Sequence, residues 1–344
     1  MLRTSKSRVN IWDIIFLFAS LCIGKGTESY EWQDVESLIL EVISIVLSGS
    51  LSPTSQIEYN KNFYLLGENF QGKEVFIELI QYLLSFGDKN SSGKAEKLLN
   101  ELKKFEQNFA NFISSQFDLE KSDYVKNAIK LVENISRSDF SKTDVLSFNY
   151  SLDERFVSLL KKKQDNRIKT WSNIHGIASF NDPNTKILTN NRYNNEVRCF
   201  PAPIFGVDNH DIILKNNEHD LRISFTKPYR VLENNVNSVR KSDGYTNTNL
   251  ISIYGHSLAR ADYSYFETIF DENNLYNSTC KIEYFYYPGG EGSNGIVERQ
   301  EAITKLYKLL TDYGSTLGET HGSNIVNKLN LENRLSVIPT TDLD

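Results

Sequence analysis

Four short apolar runs between residues 145 and 254 each end in residues that can bind or activate a ligand. These residues are Asn149, His175, Gly176, Gly206, Asp208, Gly255, His256 and Ser257, with Asp262 a little further on. Glycine lets backbone N–H groups approach a phosphate, serine and asparagine hydrogen-bond ribose hydroxyls, and histidine accepts a proton near neutral pH. The set therefore predicts a site that binds and activates a nucleotide sugar.

Each residue taken singly also has a purely structural interpretation. Asn149 at a strand end can form an Asx-turn that starts the next helix. His175 and Gly176 can form a turn with a partly buried imidazole, and Ser257 can cap the following helix with Asp262 on its exposed side. The repetition of such residues at successive strand ends favours ligand binding for the set as a whole.

The elements that position these residues alternate between strands and helices. This alternation indicates parallel pairing through right-handed crossovers, and such sheets bind ligands beyond the carboxyl ends of their strands. The predicted strands are 145–150, 171–175, 204–207, 250–254 and 281–287, and the predicted helices include 152–163, 261–270 and 296–310. The fold class is therefore α/β, an open, mainly parallel, Rossmann-like sheet with a helical block inserted near the N-terminus.

The helical block precedes the strands. From Trp32 to Asp139 the apolar residues follow the i, i+3, i+4 pattern of amphipathic helices. The predicted organisation is an atypical N-terminal segment over 1–30, the helical block over 31–140 and an α/β core over 141–344.

The N-terminal segment has two interpretations. Arg3, Lys6 and Arg8 precede an apolar run over 14–23, the outline of a secretory signal that is too short to span a bilayer. No A-x-A cleavage site follows, so a buried parallel strand, in a cytoplasmic protein, is favoured. The alternative is that the signal-like residues 1–23 direct the protein to the membrane or out of the cell.

Charge and cysteine usage exclude several classes of protein. The 344-residue chain carries 38 basic and 44 acidic residues, a net charge of −6, so a dedicated nucleic-acid binder is disfavoured. Its 3 cysteines share no short spacing, which indicates neither a disulfide framework nor a metal knuckle. His210 and His219 lie in a polar loop without further ligands, so no metal is indicated.

Five short motifs follow one another in a characteristic order. They are Trp32-x-Asp34-Val35-Glu36, Phe148-Asn149-Tyr150-Ser151, Ile174-His175-Gly176, Phe205-Gly206-Val207-Asp208 and Tyr254-Gly255-His256-Ser257-Leu258, the last followed by Asp262 and Tyr265-Phe266. As an ordered series they resemble the bacteriophage abortive infection family AbiH, over about residues 31–338. The resemblance implies a bacterial, cytoplasmic anti-phage protein, for which a phage-encoded trigger is an expected partner.

A more distant resemblance, to sirtuin-like NAD-binding domains, is carried by the asparagine, His-Gly and Gly-x-Ser-Leu positions of the same motifs. It implies that NAD or a related nucleotide is bound, that Asn149 holds the nicotinamide ribose and the attacking water, and that His175 is the catalytic base. Together with placement at strand ends, it gives the expected nucleotide contacts Gly176, Gly206, Asp208, Gly255, His256, Ser257 and Asp262.

The chain departs from these relatives at two places. Ser151 stands where sirtuin-like domains have Asp, and Ile23-Gly24-Lys25-Gly26 replaces the glycine-rich G-N-G-F-D segment of AbiH relatives. A glycine-rich first loop seats the pyrophosphate at a helix N-terminus, so its loss should weaken dinucleotide binding. Two functions are therefore predicted: an effector that binds and hydrolyses NAD on infection or, alternatively, a non-catalytic phage sensor or interaction protein with a vestigial nucleotide pocket. Either is compatible with a homo-oligomer.

Overall fold

The chain divides into two compact units, each assembled from two segments. Unit 1 comprises residues 1–116 and 175–239, and unit 2 comprises residues 117–174 and 240–344. The computed structural model describes residues 9–22, 32–47, 73–85, 90–116, 123–136, 142–162, 167–181, 186–190, 195–199, 201–208, 212, 220–234, 245–289, 295–318 and 322–340.

Helices and strands are numbered here in chain order. The helices are α1 (Ile11–Cys22), α2 (Trp32–Leu47), α3 (Lys73–Ser85), α4 (Ser91–Gln116), α5 (Asp123–Ile135), α6 (Glu154–Lys162), α7 (Lys227–Glu233), α8 (Tyr263–Glu272), α9 (Ile296–Thr316) and α10 (Ile325–Leu331). The strands are β1 (Thr143–Ser147), β2 (Ile168–Asn173), β3 (Lys186–Asn190), β4 (Asn195–Cys199), β5 (Leu250–Tyr254), β6 (Lys281–Tyr286) and β7 (Leu335–Pro339). Short 3₁₀ helices occupy Leu221–Phe225, Arg260–Asp262 and Gly322–Asn324.

Unit 1 is built around the long helix α4. Helices α1 and α2 and the 3₁₀ helix Leu221–Phe225 all pack against it. Glu36, from the Trp32-x-Asp34-Val35-Glu36 motif on α2, forms a buried ion pair with Lys227 of α7. The antiparallel pair β3–β4 also belongs to this unit.

The predicted N-terminal strand over 14–23 is wrong, because residues 11–22 form helix α1. Its apolar residues are buried at helical spacing, with Trp12, Ile15 and Ala19 inside and Leu17 exposed. Asn10 and Asp13 cap its first turn reciprocally: Asn10 Oδ1 accepts from the Trp12 N–H at 2.8 Å, and Asp13 Oδ2 accepts from the Asn10 N–H at 2.9 Å. The Trp12 indole N–H then donates to the Leu98 carbonyl on α4 at 3.0 Å.

The predicted strand over 204–207 is also wrong. The segment is buried, but its backbone finds partners other than a neighbouring strand. The Ile204 N–H donates to the His175 carbonyl at 2.8 Å, and the Phe205 N–H donates to the Glu106 carboxylate at 2.8 Å. Val207 bridges to Thr226 as an isolated pair. A side chain and a turn thus take the hydrogen bonds that a sheet would otherwise supply.

Unit 2 contains two parallel sheets, each covered by the helices that connect its strands. Strand β1 pairs with β2, and the crossover between them carries α6. Strands β5, β6 and β7 pair in that order, with α8 in the first crossover and α9 and α10 in the second. Their apolar side chains form two cores, one centred on Phe156 and Leu160 and the other on Phe270 and Leu310.

The α/β class and the parallel pairing are therefore present, in small sheets of two and three strands. A single open Rossmann-like sheet stays a prediction. Within the part of the chain that the structure describes, no helix has both the length and the apolar character needed to cross a membrane. His210, His219 and the segment Ile23-Gly24-Lys25-Gly26 lie outside the described residues.

Candidate functional site

The loop that follows β5 holds four of the predicted site residues in unit 2. Gly255 has a φ of +64°, and a Cβ built on it would have no atom of the described residues within 4 Å. Leu258 has a φ of +56°, a left-handed conformation that costs a leucine about 1–2 kcal/mol. The loop is therefore bent at both ends, with open space above Gly255.

His256 is fixed in this loop through both of its ring nitrogens. Nδ1 accepts a hydrogen bond from the Leu258 N–H at 2.9 Å, and Nε2 lies 3.2 Å from Asp262 Oδ2. Because a backbone N–H can only donate, Nδ1 must be the acceptor and the neutral ring carries its proton on Nε2. Asp262, which immediately precedes α8, thus orients the imidazole, and the two side chains are 11% and 14% exposed.

Aromatic side chains also contact the imidazole of His256. Phe148, which directly follows β1, meets the His256 ring edge-on at a centroid distance of 4.7 Å. Phe266 of α8 stacks on Phe148 at 5.8 Å and meets His256 at 5.0 Å. The Tyr284 hydroxyl on β6 donates to the His256 carbonyl at 2.9 Å. The carboxyl ends of β1 and β5 therefore meet at His256.

Asn149 adjoins this cluster and forms the Asx-turn that was its structural interpretation. Its Oδ1 accepts from the Ser151 N–H at 3.1 Å and from the Ser151 hydroxyl at 2.9 Å. Its side chain is exposed. Asn149 is thus a turn residue whose side chain reaches the surface at the carboxyl end of β1.

Asn173, at the end of β2, is a residue of this region that was not predicted from the sequence. It is 1% exposed, and its Nδ2 donates to the Asn149 carbonyl at 2.9 Å and to the Leu152 carbonyl at 2.7 Å. These two hydrogen bonds fix the turn formed by residues 149–152 after β1. An asparagine inside the predicted strand 171–175, two residues before His175-Gly176, was the available signal.

The remaining predicted residues belong to unit 1 and are packed inside it. His175 and Asp208 are each 2% exposed. Gly176 has a φ of +87°, and a Cβ on it would lie 2.3 Å from the Ala202 carbonyl oxygen. A Cβ on Gly206 would lie 2.7 Å from the Phe225 carbonyl oxygen. Close backbone approach within the unit therefore accounts for both glycines.

Two buried tyrosines of unit 2, Tyr263 and Tyr313, have phenol pKa values above the ordinary one. Burial and nearby carboxylates, among them Glu267, raise the pKa of Tyr263 on α8 above its ordinary value. Burial and the hydrogen bond to Asp271 Oδ1, 2.9 Å away, do the same for the pKa of Tyr313 on α9. Both phenols are neutral hydrogen-bonding groups at physiological pH.

The chemistry open to this cluster is binding rather than proton abstraction. Both His256 nitrogens are engaged, so neither has a lone pair free for a substrate. Gly255 offers unobstructed backbone, and Ser257 and Asn149 offer exposed polar side chains. Across the described residues, no group of three or more His, Cys, Asp or Glu side chains is arranged to hold a metal ion.

Parallel strands with connecting helices and polar loops at the carboxyl ends of the strands are typical of an α/β protein. The model of the family described as Bacteriophage abortive infection AbiH matches residues 5–284, which is most of the chain. The chain therefore belongs to the AbiH family, and this membership indicates a role in bacteriophage abortive infection. No curated protein and no solved structure matches it.

Proposed function

We propose that the protein acts in abortive infection by binding a nucleotide, NAD or a related one, at the carboxyl ends of β1 and β5 in unit 2. The open space above Gly255 supports this proposal most directly, because a ligand can approach the backbone there without displacing a side chain. The position also agrees with the general rule that α/β proteins bind ligands beyond the carboxyl ends of their strands.

The residues around Gly255 have complementary roles in this proposal. The Ser257 hydroxyl accepts from the Ala259 N–H at 3.3 Å and keeps its own O–H for the ligand. His256 and Asp262 hold the loop in its bent form. Phosphate or ribose oxygens would then meet the backbone at Gly255 and the Ser257 hydroxyl.

The test compares two glycines that share a conformation but not a location. Gly255 and Gly318 both have positive φ, +64° and +83°, and among the described residues no atom lies within 4 Å of either Cβ position. Alanine at either should destabilise unit 2 by about 1 kcal/mol. By calorimetric titration with NAD, Gly255→Ala should bind at least about tenfold more weakly than wild type, while Gly318→Ala binds normally. Equal affinities for the two variants would contradict the proposed site.

Hydrolysis of NAD on infection is a separate proposal, for which the resemblance to sirtuin-like domains implies His175 as the catalytic base. Mass spectrometry of NAD in phage-infected cells tests it, with wild type compared with His175→Ala at matched soluble expression. NAD should fall only with wild type. Unchanged NAD together with intact phage resistance would exclude hydrolysis and leave nucleotide binding untouched.

A non-catalytic sensor is the second candidate function. It is favoured by His256, whose two ring nitrogens are both occupied within the loop. Here residues 31–140, the predicted helical block, dock a phage-encoded partner, and the nucleotide site is vestigial. Affinity purification from infected cells should then recover one specific phage protein with both wild type and Gly255→Ala. Loss of resistance in Gly255→Ala without loss of that partner would reject this version.

A further inference from the structure

The orientation of the Asn149 carboxamide is fixed by its neighbours. A backbone N–H can only donate, so the atom that accepts from Ser151 N at 3.1 Å must be Oδ1. The Ser151 hydroxyl donates to the same oxygen at 2.9 Å. The two lone pairs of Oδ1 are thus both used, and turning the amide over would place its Nδ2 against the Ser151 N–H, so that this bond would be lost.

A directed chain of hydroxyl groups reinforces this orientation. Tyr124, on the first turn of α5, places its hydroxyl 2.7 Å from Ser151 Oγ. Because the Ser151 hydrogen points to Asn149, the Tyr124 hydroxyl must be the donor in this pair. The chain therefore runs from Tyr124 to Ser151 to Asn149, and each donor polarises the next.

The backbone of Asn149 is held as firmly as its oxygen. Its carbonyl accepts from Asn173 Nδ2 at 2.9 Å, and its N–H donates to Ser147 Oγ at 3.3 Å. The side-chain Nδ2 has no hydrogen bond to any described residue, and the side chain is exposed. At the carboxyl end of β1, Asn149 therefore presents the two N–H donors of its Nδ2.

We propose that Asn149 recognises the ligand as a hydrogen-bond donor to an anionic oxygen, such as a nucleotide phosphate, and that Ser151 and Tyr124 are its positioning residues. This inference rests on the proposed function and adds that the site recognises an anionic oxygen of the ligand. It differs from the role implied by the sirtuin resemblance, since an amide whose oxygen is occupied cannot accept a hydrogen bond from a ribose hydroxyl or from an attacking water.

Asn149→Asp separates recognition from turn formation. The carboxylate keeps an oxygen for Ser151 and forms the same Asx-turn, but it replaces the donor with a negative oxygen. Asn149→Ala removes the turn and the donor together, without adding charge. In calorimetric titrations with NAD, the Asp variant should bind about thirtyfold or more weakly than wild type, and more weakly than the Ala variant. In thermal melts the order should reverse, with Ala less stable than Asp.

The opposite order of the Asp and Ala variants in NAD affinity and in thermal stability distinguishes ligand recognition from a structural role. A residue that only holds the turn would leave Asn149→Asp with the affinity of wild type, and that result would overturn the inference. If wild type binds NAD and Asn149→Asp binds it equally well, the proposed function stands and the donor assignment fails. Absence of NAD binding by wild type would overturn both.

The positioning residues are tested by removing one hydroxyl. Tyr124→Phe keeps the ring and should weaken NAD binding about threefold to tenfold in wild type, with no further effect in Asn149→Asp. Tyr307→Phe, on the exposed face of α9, is the matched control and should change nothing. Equal effects of Tyr124→Phe in both backgrounds would overturn the role of Tyr124.

Discussion

The two units use the same kinds of polar residue in opposite ways. In unit 1 the predicted site residues His175, Gly176, Gly206 and Asp208 are packed inside, and close backbone contacts account for the glycines. In unit 2 the corresponding residues Asn149, Gly255 and Ser257 are at the surface. The surroundings of a glycine, more than its motif, therefore decide whether it can serve a ligand.

Unit 1 also buries a pair of opposite charges between two of its helices. Glu106 of α4 and Arg230 of α7 form a two-pronged ion pair, with N···O distances of 2.8 and 3.0 Å and side chains only 4% and 1% exposed. Burial raises the pKa of Glu106, while Arg230 and the Phe205 N–H act in the opposite direction. Such a pair specifies a packing arrangement more than it adds stability.

The largest expected effect comes from Gly176. Alanine there would place its Cβ 2.3 Å from the Ala202 carbonyl oxygen at a φ of +87°. The free energy of unfolding should fall by about 3–5 kcal/mol, from steric overlap and backbone strain together. Thermal melting of the purified protein measures it. A variant as stable as wild type would remove the packing explanation for this glycine and restore it as a ligand contact.

Breaking the buried ion pair should have the next largest effect. Glu106→Gln removes the close countercharge of the buried Arg230 guanidinium and leaves it the Glu233 carboxylate at 3.8 Å, which should cost about 3 kcal/mol in urea denaturation. The double variant Glu106→Met, Arg230→Met removes both charges and should recover much of that loss. If the double variant were less stable than Glu106→Gln, the pair would be a net source of stability, contrary to the comparison drawn above.

In unit 2, loss of the carboxylate that orients His256 should affect binding more than folding. Asp262→Ala removes the partner of the His256 Nε2–H and should cost about 1–2 kcal/mol of stability while weakening NAD binding. Asp271→Ala, in the last turn of α8, removes the partner of the Tyr313 hydroxyl instead. It should lower stability similarly and leave binding unchanged. Equal binding losses would mean that α8 as a whole, rather than His256, controls the site.

The smallest effect is expected for a single hydroxyl. Tyr284→Phe removes the donor to the His256 carbonyl and should cost about 1 kcal/mol. Tyr313→Phe removes a hydroxyl of similar burial away from the loop. Titration with NAD should show weaker binding only for Tyr284→Phe, and weaker binding by Tyr313→Phe would contradict the assignment of the site to this loop.

The predictability of the fold from sequence varied with the range of the interactions involved. Strands β5 and β6 and helix α8 were predicted closely, because local periodicity and strong turn residues mark them. Helix α1 was not predicted, although Asn10 and Asp13 have the spacing of a helix-capping pair at the start of an apolar run. That error was avoidable from the sequence.

Other features depend on distant residues and had no local signal. The segment 204–207 has strand-like composition, yet its backbone is bound by Glu106, far away in the sequence. At the site, the sequence placed Gly255 and His256 directly after a strand and Asp262 at the start of the next helix. It did not reveal that Leu258 fixes the imidazole tautomer or that Asn173 anchors Asn149, because both depend on three-dimensional hydrogen-bond geometry.

The packing of aromatic rings around His256 has a spectroscopic consequence. Phe148 and Phe266 lie within 4.7 and 5.0 Å of the imidazole, centroid to centroid, and their ring currents displace the resonances of its carbon-bound protons. The chain has 5 histidines, so this displaced signal should stand apart from a small set of imidazole peaks in a proton NMR spectrum. His256 is in this sense a native reporter, whose chemical shift registers any molecule that enters the loop without a label being attached.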